Sequence, residues 1–305
     1  IVASHSYPLS CAARWLDRKL QPVVKSLDTV LLDSASLVRT LEQMNLSRFC
    51  PSHQHPRHNY HKKTDQVQSV NFNNSGSNLI QGSRKLWLFT ADVTSLYTCI
   101  PHHDGIEATY QVLLSKRIYS PPQIDVMIQV MRVVLFNNIF HFGNDMYLQV
   151  HGTAMGSPVA PCYANLFMSY LEQQWLNKHL MSSQQKYDSV HFNKSGGIVM
   201  YKRYLDDLFG IAYGTESEVK CILSELNDLH ENIRINYELS DSHVHFLDLN
   251  VNLIPCHQLH SRELCPTASC HSVSLSVYFK QLGKFLYPHY SSYHSRAMKM
   301  ATIKT

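Results

Sequence analysis

No run in this sequence comes near the roughly 20 consecutive apolar residues that a membrane-crossing helix requires. The longest apolar stretch, Val126 to Phe136, is interrupted by Gln129 and Arg132, so no membrane partner is expected. No CxxC pair occurs: the cysteines at 11, 50, 99, 162, 221, 256, 265 and 270 are scattered. Nothing after Ile1 combines a charged start, an apolar run and a small-residue cleavage site, so a secretory signal is not expected. A disulfide framework or disulfide-linked partner is therefore not expected, and a reducing compartment fits better. A start on Ile1 rather than Met reads as a fragment with something upstream. Acid is missing from residues 264 to 305, which carry Lys280, Lys284, Arg296, Lys299 and Lys304. Such a window attracts polyanions; a solvated basic tail is the alternative.

The chain has 305 residues, 44% of them hydrophobic, and a formal net charge of +4. That length suffices for two compact units or one large domain with appendages. No internal repeat is visible. Residues 48 to 85 are rich in His, Asn, Ser and Lys and poor in aliphatic side chains, which reads as a polar insert. Its His53, His55, His58 and His61 lack partner cysteines or an ordering helix face, so no metal site is expected there. Cys256, His257, His260, Cys265, Cys270 and His271 are zinc-type ligands, but their spacing fits no pair-and-pair arrangement.

Lys85-Leu-Trp-Leu-Phe-Thr-Ala-Asp92 is an apolar, β-favouring run that predicts a buried strand ending on a carboxylate. Residues 104 to 150 add two helices and a hairpin at Asn144. From Pro158 to His179, Tyr163, Leu166, Phe167, Tyr170, Leu171 and Trp175 recur at helical spacing, predicting an amphipathic helix with Pro158 near its start. Residues 198 to 213 are apolar on both sides of Asp206-Asp207, predicting two strands with the acidic pair at their turn. Gly214 ends the second strand, and Thr215 with Glu218 forms a capping box for a helix carrying Val219, Ile222, Leu223 and Leu226. A strand over 234–239 follows. The order strand, helix, hairpin, helix, strand is that of a ferredoxin-like split βαβ sheet, and a right-handed crossover makes the strand over 86–92 parallel to the first hairpin strand. Asp92, Asp206 and Asp207 are thereby expected at one sheet edge.

Three carboxylates so placed repel one another unless a cation neutralises them. Mg²⁺ suits carboxylate oxygens, waters and phosphates, and a pair of such ions serves nucleotidyl transfer. An ordinary solvated acidic turn is the plain alternative for Asp206-Asp207 alone.

Tyr204-Leu-Asp-Asp207 resembles the acidic box of reverse transcriptases, and Ala91-Asp-Val-Thr-Ser-Leu-Tyr-Thr-Cys-Ile-Pro101 resembles the preceding motif of Penelope-like retroelements. The segment from Gln149-Val-His-Gly-Thr-Ala-Met-Gly-Ser-Pro158 to Asn165 is similar to that family's nucleotide-binding motif, and Phe246-Leu-Asp-Leu-Asn-Val251 to its following strand. The resemblance implies an α+β fold: a right-hand polymerase palm with partial fingers and the start of a thumb. It implies a reverse transcriptase domain over 1–253, with partial fingers at 1–47, the insert at 48–85 and the palm at 86–253; a basic thumb start follows at 254–305. It implies an RNA-directed DNA polymerase using two Mg²⁺ or Mn²⁺ ions, an RNA template, a DNA primer and dNTPs. Asp92, Asp206 and Asp207 would hold the metals, with Tyr97 under the incoming sugar. Gln149, Gly152, Ser157 and Pro158 would line the nucleotide pocket. Phe246 and Leu247 would hold the primer end, and Lys280, Lys284, Arg296 and Lys299 would contact nucleic acid. A nuclear, or else cytoplasmic, location is expected by the same resemblance.

Relatives carry a basic fingers segment ahead of the residues matching Ile1-Val-Ala-Ser, so part of the fingers is expected to lie outside the chain. Cys99 stands where relatives have Asn, Gln281-Leu282 where they have Pro-Thr, and Tyr293 where they have Cys. A catalytically inactive remnant that only binds nucleic acid is the alternative. An RRM-like module of the same strand order would need stacking aromatics where this chain carries carboxylates.

Overall fold

The computed structural model describes residues 8–44, 46, 84–181, 196–255, 271–279, 291 and 295. The histidines of the polar insert, Cys256 to Cys270, and the basic residues Lys280, Lys284, Arg296 and Lys299 lie outside these.

Two helices come first, α1 (Ser10–Lys25) and α2 (Ser34–Glu42). α1 buries Ala13, Leu16, Leu20 and Val23 along one stripe, while the Asp33 side chain caps α2 by accepting from the Ser36 amide. Strand β1 (Lys85–Val93) leads through the short α3 (Leu96–Cys99) to α4 (His102–Lys116) and α5 (Pro121–Phe136). A hairpin of β2 (Ile139–Phe142) and β3 (Asp145–Leu148) follows, then α6 (Ala160–His179). The expected helix pair, hairpin and long helix are all present. α6 begins two residues after Pro158 and buries residues on nearly every side, from Tyr163 and Phe167 to Glu172 and Trp175.

The expected hairpin is β4 (Gly197–Tyr204) and β5 (Asp207–Gly214). The Thr215 capping box starts α7 (Glu216–Asn227), and β6 (Ile235–Ser240) follows. The sheet order is β4-β5-β1-β6. β1 pairs antiparallel with both β5 and β6, and β4 antiparallel with β5. β1 and β4 therefore run parallel with β5 between them, the split arrangement expected.

β1 reads as continuously apolar because both its faces are covered. Trp87, Phe89, Ala91 and Val93 join a core with Tyr163, Phe167, Leu208 and Val219 on the helical side. Leu86 and Leu88 join a second core with Phe209, Ile211, Leu37 and Leu41. Gly210 in β5 permits the helical-side packing: a Cβ there would lie 2.2 Å from the Phe89 ring.

One strand reading needs correction. Phe246 to Val251 is not a single strand but the tip of a hairpin between β7 (His243–Phe246) and β8 (Leu249–Pro255), with Phe246 opposite Leu249. The turn puts Leu247 at φ 53°, a conformation that apolar residues seldom adopt and that the alternating pattern conceals. The boundary expected between 253 and 254 falls inside β8. Beyond it, β9 (His271–Val277) pairs back onto β8. Val244, Phe246 and Val251 cover the second face of the main sheet.

Candidate active site

The end of β1 meets the turn between β4 and β5. Register places Asp92 directly opposite Asp207 on one side and Asn236 on the other. The Val93 amide donates to the Asp206 carbonyl at 3.0 Å, fixing the turn against the strand that carries Asp92. Asp92 is exposed, and Asp206 and Asp207 are half-buried. Like charges directly opposite in an antiparallel pair are destabilising, and no lysine, arginine or histidine among the described residues pairs with Asp92 or Asp206.

Tyr97 lies on α3, just past the end of β1. It is half-buried, and its phenol is pushed above its ordinary value, first by burial and then by the negative charge of Asp206. Tyr97 is also joined to the segment after β3: the Thr153 amide donates to its carbonyl at 2.6 Å, and the Gly152 amide to that of Ile100 at 2.8 Å. Gly152 has φ +69°, and a Cβ there would sit 2.3 Å from the Tyr97 carbonyl oxygen. The close approach it permits in this structure is thus to the backbone of α3. His102 completes the joint, its Nε2 lying 2.7 Å from the Gly152 carbonyl. Because a carbonyl only accepts, Nε2 is the protonated nitrogen.

The side chain of Gln149 accepts from Asn138 at 2.6 Å and donates to the His151 carbonyl at 2.8 Å. It lines a cleft with Thr98, Phe140 and Met155. Ser157 and Pro158 line a different hollow, with Gly152 and residues of α1 and α5; the two share Asn138, Thr153 and Ala154. The expected nucleotide-binding residues are therefore split between adjoining hollows. Phe246 is buried beneath the sheet and Leu247 packs against the same core.

Residues 9–253 match the family model described as reverse transcriptase (RNA-dependent DNA polymerase). The chain belongs to the reverse transcriptase family. Similar solved structures include apo telomerase from Candida tropicalis truncated from its C-terminal domain (10% identity, 82% of this chain and 44% of that one, TM-score 0.47). Telomerase from Candida albicans in complex with a fragment of telomeric RNA is also similar (11% identity, 80% and 38% covered, TM-score 0.48). So is the BmCPV RNA-dependent RNA polymerase at its elongation state (11% identity, 55% and 16% covered, TM-score 0.40). The chain spans less than half the length of these structures. No curated protein matches it.

Reverse transcriptases as a family use divalent metal ions. Among the described residues no group of three His, Cys, Asp or Glu is already arranged to hold an ion. The donor chemistry nevertheless fits: hard carboxylate oxygens, solvent-accessible and without a cationic partner at Asp92 and Asp206, are what Mg²⁺ or Mn²⁺ prefers.

Sequence reasoning did not single out the side chains behind the turn of this reverse transcriptase domain. Arg203 and Glu172 form an ion pair with both side chains at 0% exposure. Arg203 precedes the acidic box by one residue, which is a usable signal. Glu172 sits in a helix whose apolar stripe gave no sign of burial on its other side.

Proposed function

We propose that this domain copies RNA into DNA by nucleotidyl transfer to a primer 3′-hydroxyl, with Asp92, Asp206 and Asp207 as the metal-holding carboxylates. The observation that carries the reading is the register of β1 and β5, which sets Asp92 opposite Asp207 while Val93 ties down Asp206. When bound, two Mg²⁺ or Mn²⁺ ions supply activation of the 3′-hydroxyl and charge neutralisation at the departing pyrophosphate. Tyr97 stands beside Asp206 and limits space at the ribose 2′ position, so that exclusion of ribonucleotides is steric. Gln149 offers an amide to the incoming nucleotide, with Gly152, Ser157 and Pro158 shaping the hollow beside it. Phe246 and Leu247 hold the hairpin tip at which the primer end rests. Lys280, Lys284, Arg296 and Lys299 contribute phosphate contacts. The order of the four motifs supports a Penelope-like retroelement as the source, with partial fingers at 1–47 and a thumb starting after the palm; its site of action is then nuclear.

A second reading is a remnant that binds nucleic acid without copying it, through the acid-free basic window of residues 264 to 305. Primer extension separates the two. With an RNA template, an annealed DNA primer and dNTPs, the full chain is expected to lengthen the primer in Mg²⁺ or Mn²⁺ and not in chelator. Binding of the primer–template without extension would favour the remnant.

A further inference from the structure

We propose that Arg203, held by Glu172, is a positioning residue that sets the turn carrying Asp206. The proposal deepens the reading above, because that turn is the one assigned to metal. Arg203 has five N–H donors in a planar fork, and five acceptors surround it. Nε donates to Glu172 Oε1, Nη1 to Asn165 Oδ1 at 2.6 Å and to the Leu205 carbonyl at 2.9 Å. Nη2 donates to the Asn165 carbonyl at 3.1 Å and to Ser169 Oγ at 3.3 Å. Asn165, Ser169 and Glu172 lie on one face of α6. Glu172 is fixed in turn by the Tyr201 hydroxyl at 2.7 Å.

The bond to Leu205 connects this network to the chemistry. Leu205 has φ +55°, a conformation that L residues adopt only when their surroundings impose it. Its carbonyl is held from behind by Arg203, and the next carbonyl, that of Asp206, is held from the side by Val93. Both peptide groups flanking the Asp206 side chain are thereby fixed. The backbone of Arg203 is itself clamped, its amide donating to Thr29 and its carbonyl accepting from Leu31, each at 2.7 Å. Because Asn165 closes the segment that begins at Gln149, the same guanidinium ties the helix behind the nucleotide hollow to the metal turn.

A purely structural buried pair would behave differently. Replacing both members of such a pair by apolar residues is often neutral for stability, whereas removing one is costly. The pair of changes Arg203→Met and Glu172→Leu should keep the fold but leave the Leu205 carbonyl without its donor. Arg203→Lys is the companion variant: it keeps a charge for Glu172, with three donors in place of five.

The test is hydrogen–deuterium exchange of the full chain without metal, read on peptides covering 92–94 and 204–207, alongside Mn²⁺ binding followed by electron paramagnetic resonance. Both variants are expected to exchange about tenfold faster in those peptides while α6 and β5 keep their protection, and to bind Mn²⁺ about tenfold more weakly. Unchanged exchange at the turn in either folded variant would overturn the proposal. Failure of the metal assignment looks different: a wild-type chain that takes up no Mn²⁺ would sink that assignment, while the exchange result still decides the role of Arg203.

Discussion

Gly152 shows how a residue visible in the sequence acquires its reason only in the structure. The sequence offered Gly152 only as part of a nucleotide pocket, whereas φ +69° with a Cβ position 2.3 Å from the Tyr97 carbonyl identifies the backbone of α3 as its neighbour. Gly152→Ala combines backbone strain with a clash against main chain, so it is expected to cost about 2 kcal/mol or more. Thermal unfolding checks this, and an unchanged Tm would show that the loop simply shifts. Arg203 and Glu172 were the opposite case. Arg203 lies between Lys202 and Tyr204, and Glu172 between Leu171 and Gln173; nothing in that setting marks either for burial, and helical spacing does not say which polar residue of α6 faces inward. Glu172→Ala leaves a fully buried guanidinium unpaired, and a loss of about 3–5 kcal/mol is expected in chemical denaturation.

At the level of elements, the loop before α6 is bound to the chain after β1 by Gly152, Thr153 and His102. His102 is buried, its Nδ1 has no partner among the described residues, and burial holds its pKa below the ordinary imidazole value. Because the folded-state pKa is the lower one, the neutral ring contributes its full stability above about pH 6.5, and that contribution is lost as pH falls through the depressed value. Scans of Tm against pH should fall on the acid side in the wild type and fall less in His102→Asn. Equal slopes in the two would remove His102 from the acid response. That the end of β1 and the acidic turn share one sheet edge was legible, since the crossover set β1 parallel to β4; the register that puts Asp92 opposite Asp207 was not. The hairpin tip at Leu247 was not legible, because a positive φ at a leucine leaves no mark in an alternating apolar pattern.

Across the whole molecule, the four strands of the main sheet and helices α4 to α7 followed from periodicity, turn residues and the crossover, whereas α1 to α3 were not read from the sequence. What periodicity could not supply was the division of β1 between two cores, since a strand covered on both faces carries no alternation. Charge is also a whole-molecule property. Residues 264 to 305 contain no acid, so affinity for single-stranded nucleic acid should fall steeply with salt. Changing Lys280, Lys284, Arg296 and Lys299 together to Gln should lower the slope of log affinity against log salt by about 3. An unaltered slope would place the phosphate contacts elsewhere. The central claim is that the carboxylates brought together by β1 and the turn between β4 and β5 serve nucleotidyl transfer, and single-turnover incorporation by Asp206→Asn tests it most directly. Losing one metal ligand should slow incorporation by roughly a thousandfold or more, with primer–template affinity changed by no more than about twofold. Incorporation at the wild-type rate in a folded Asp206→Asn chain would contradict the account.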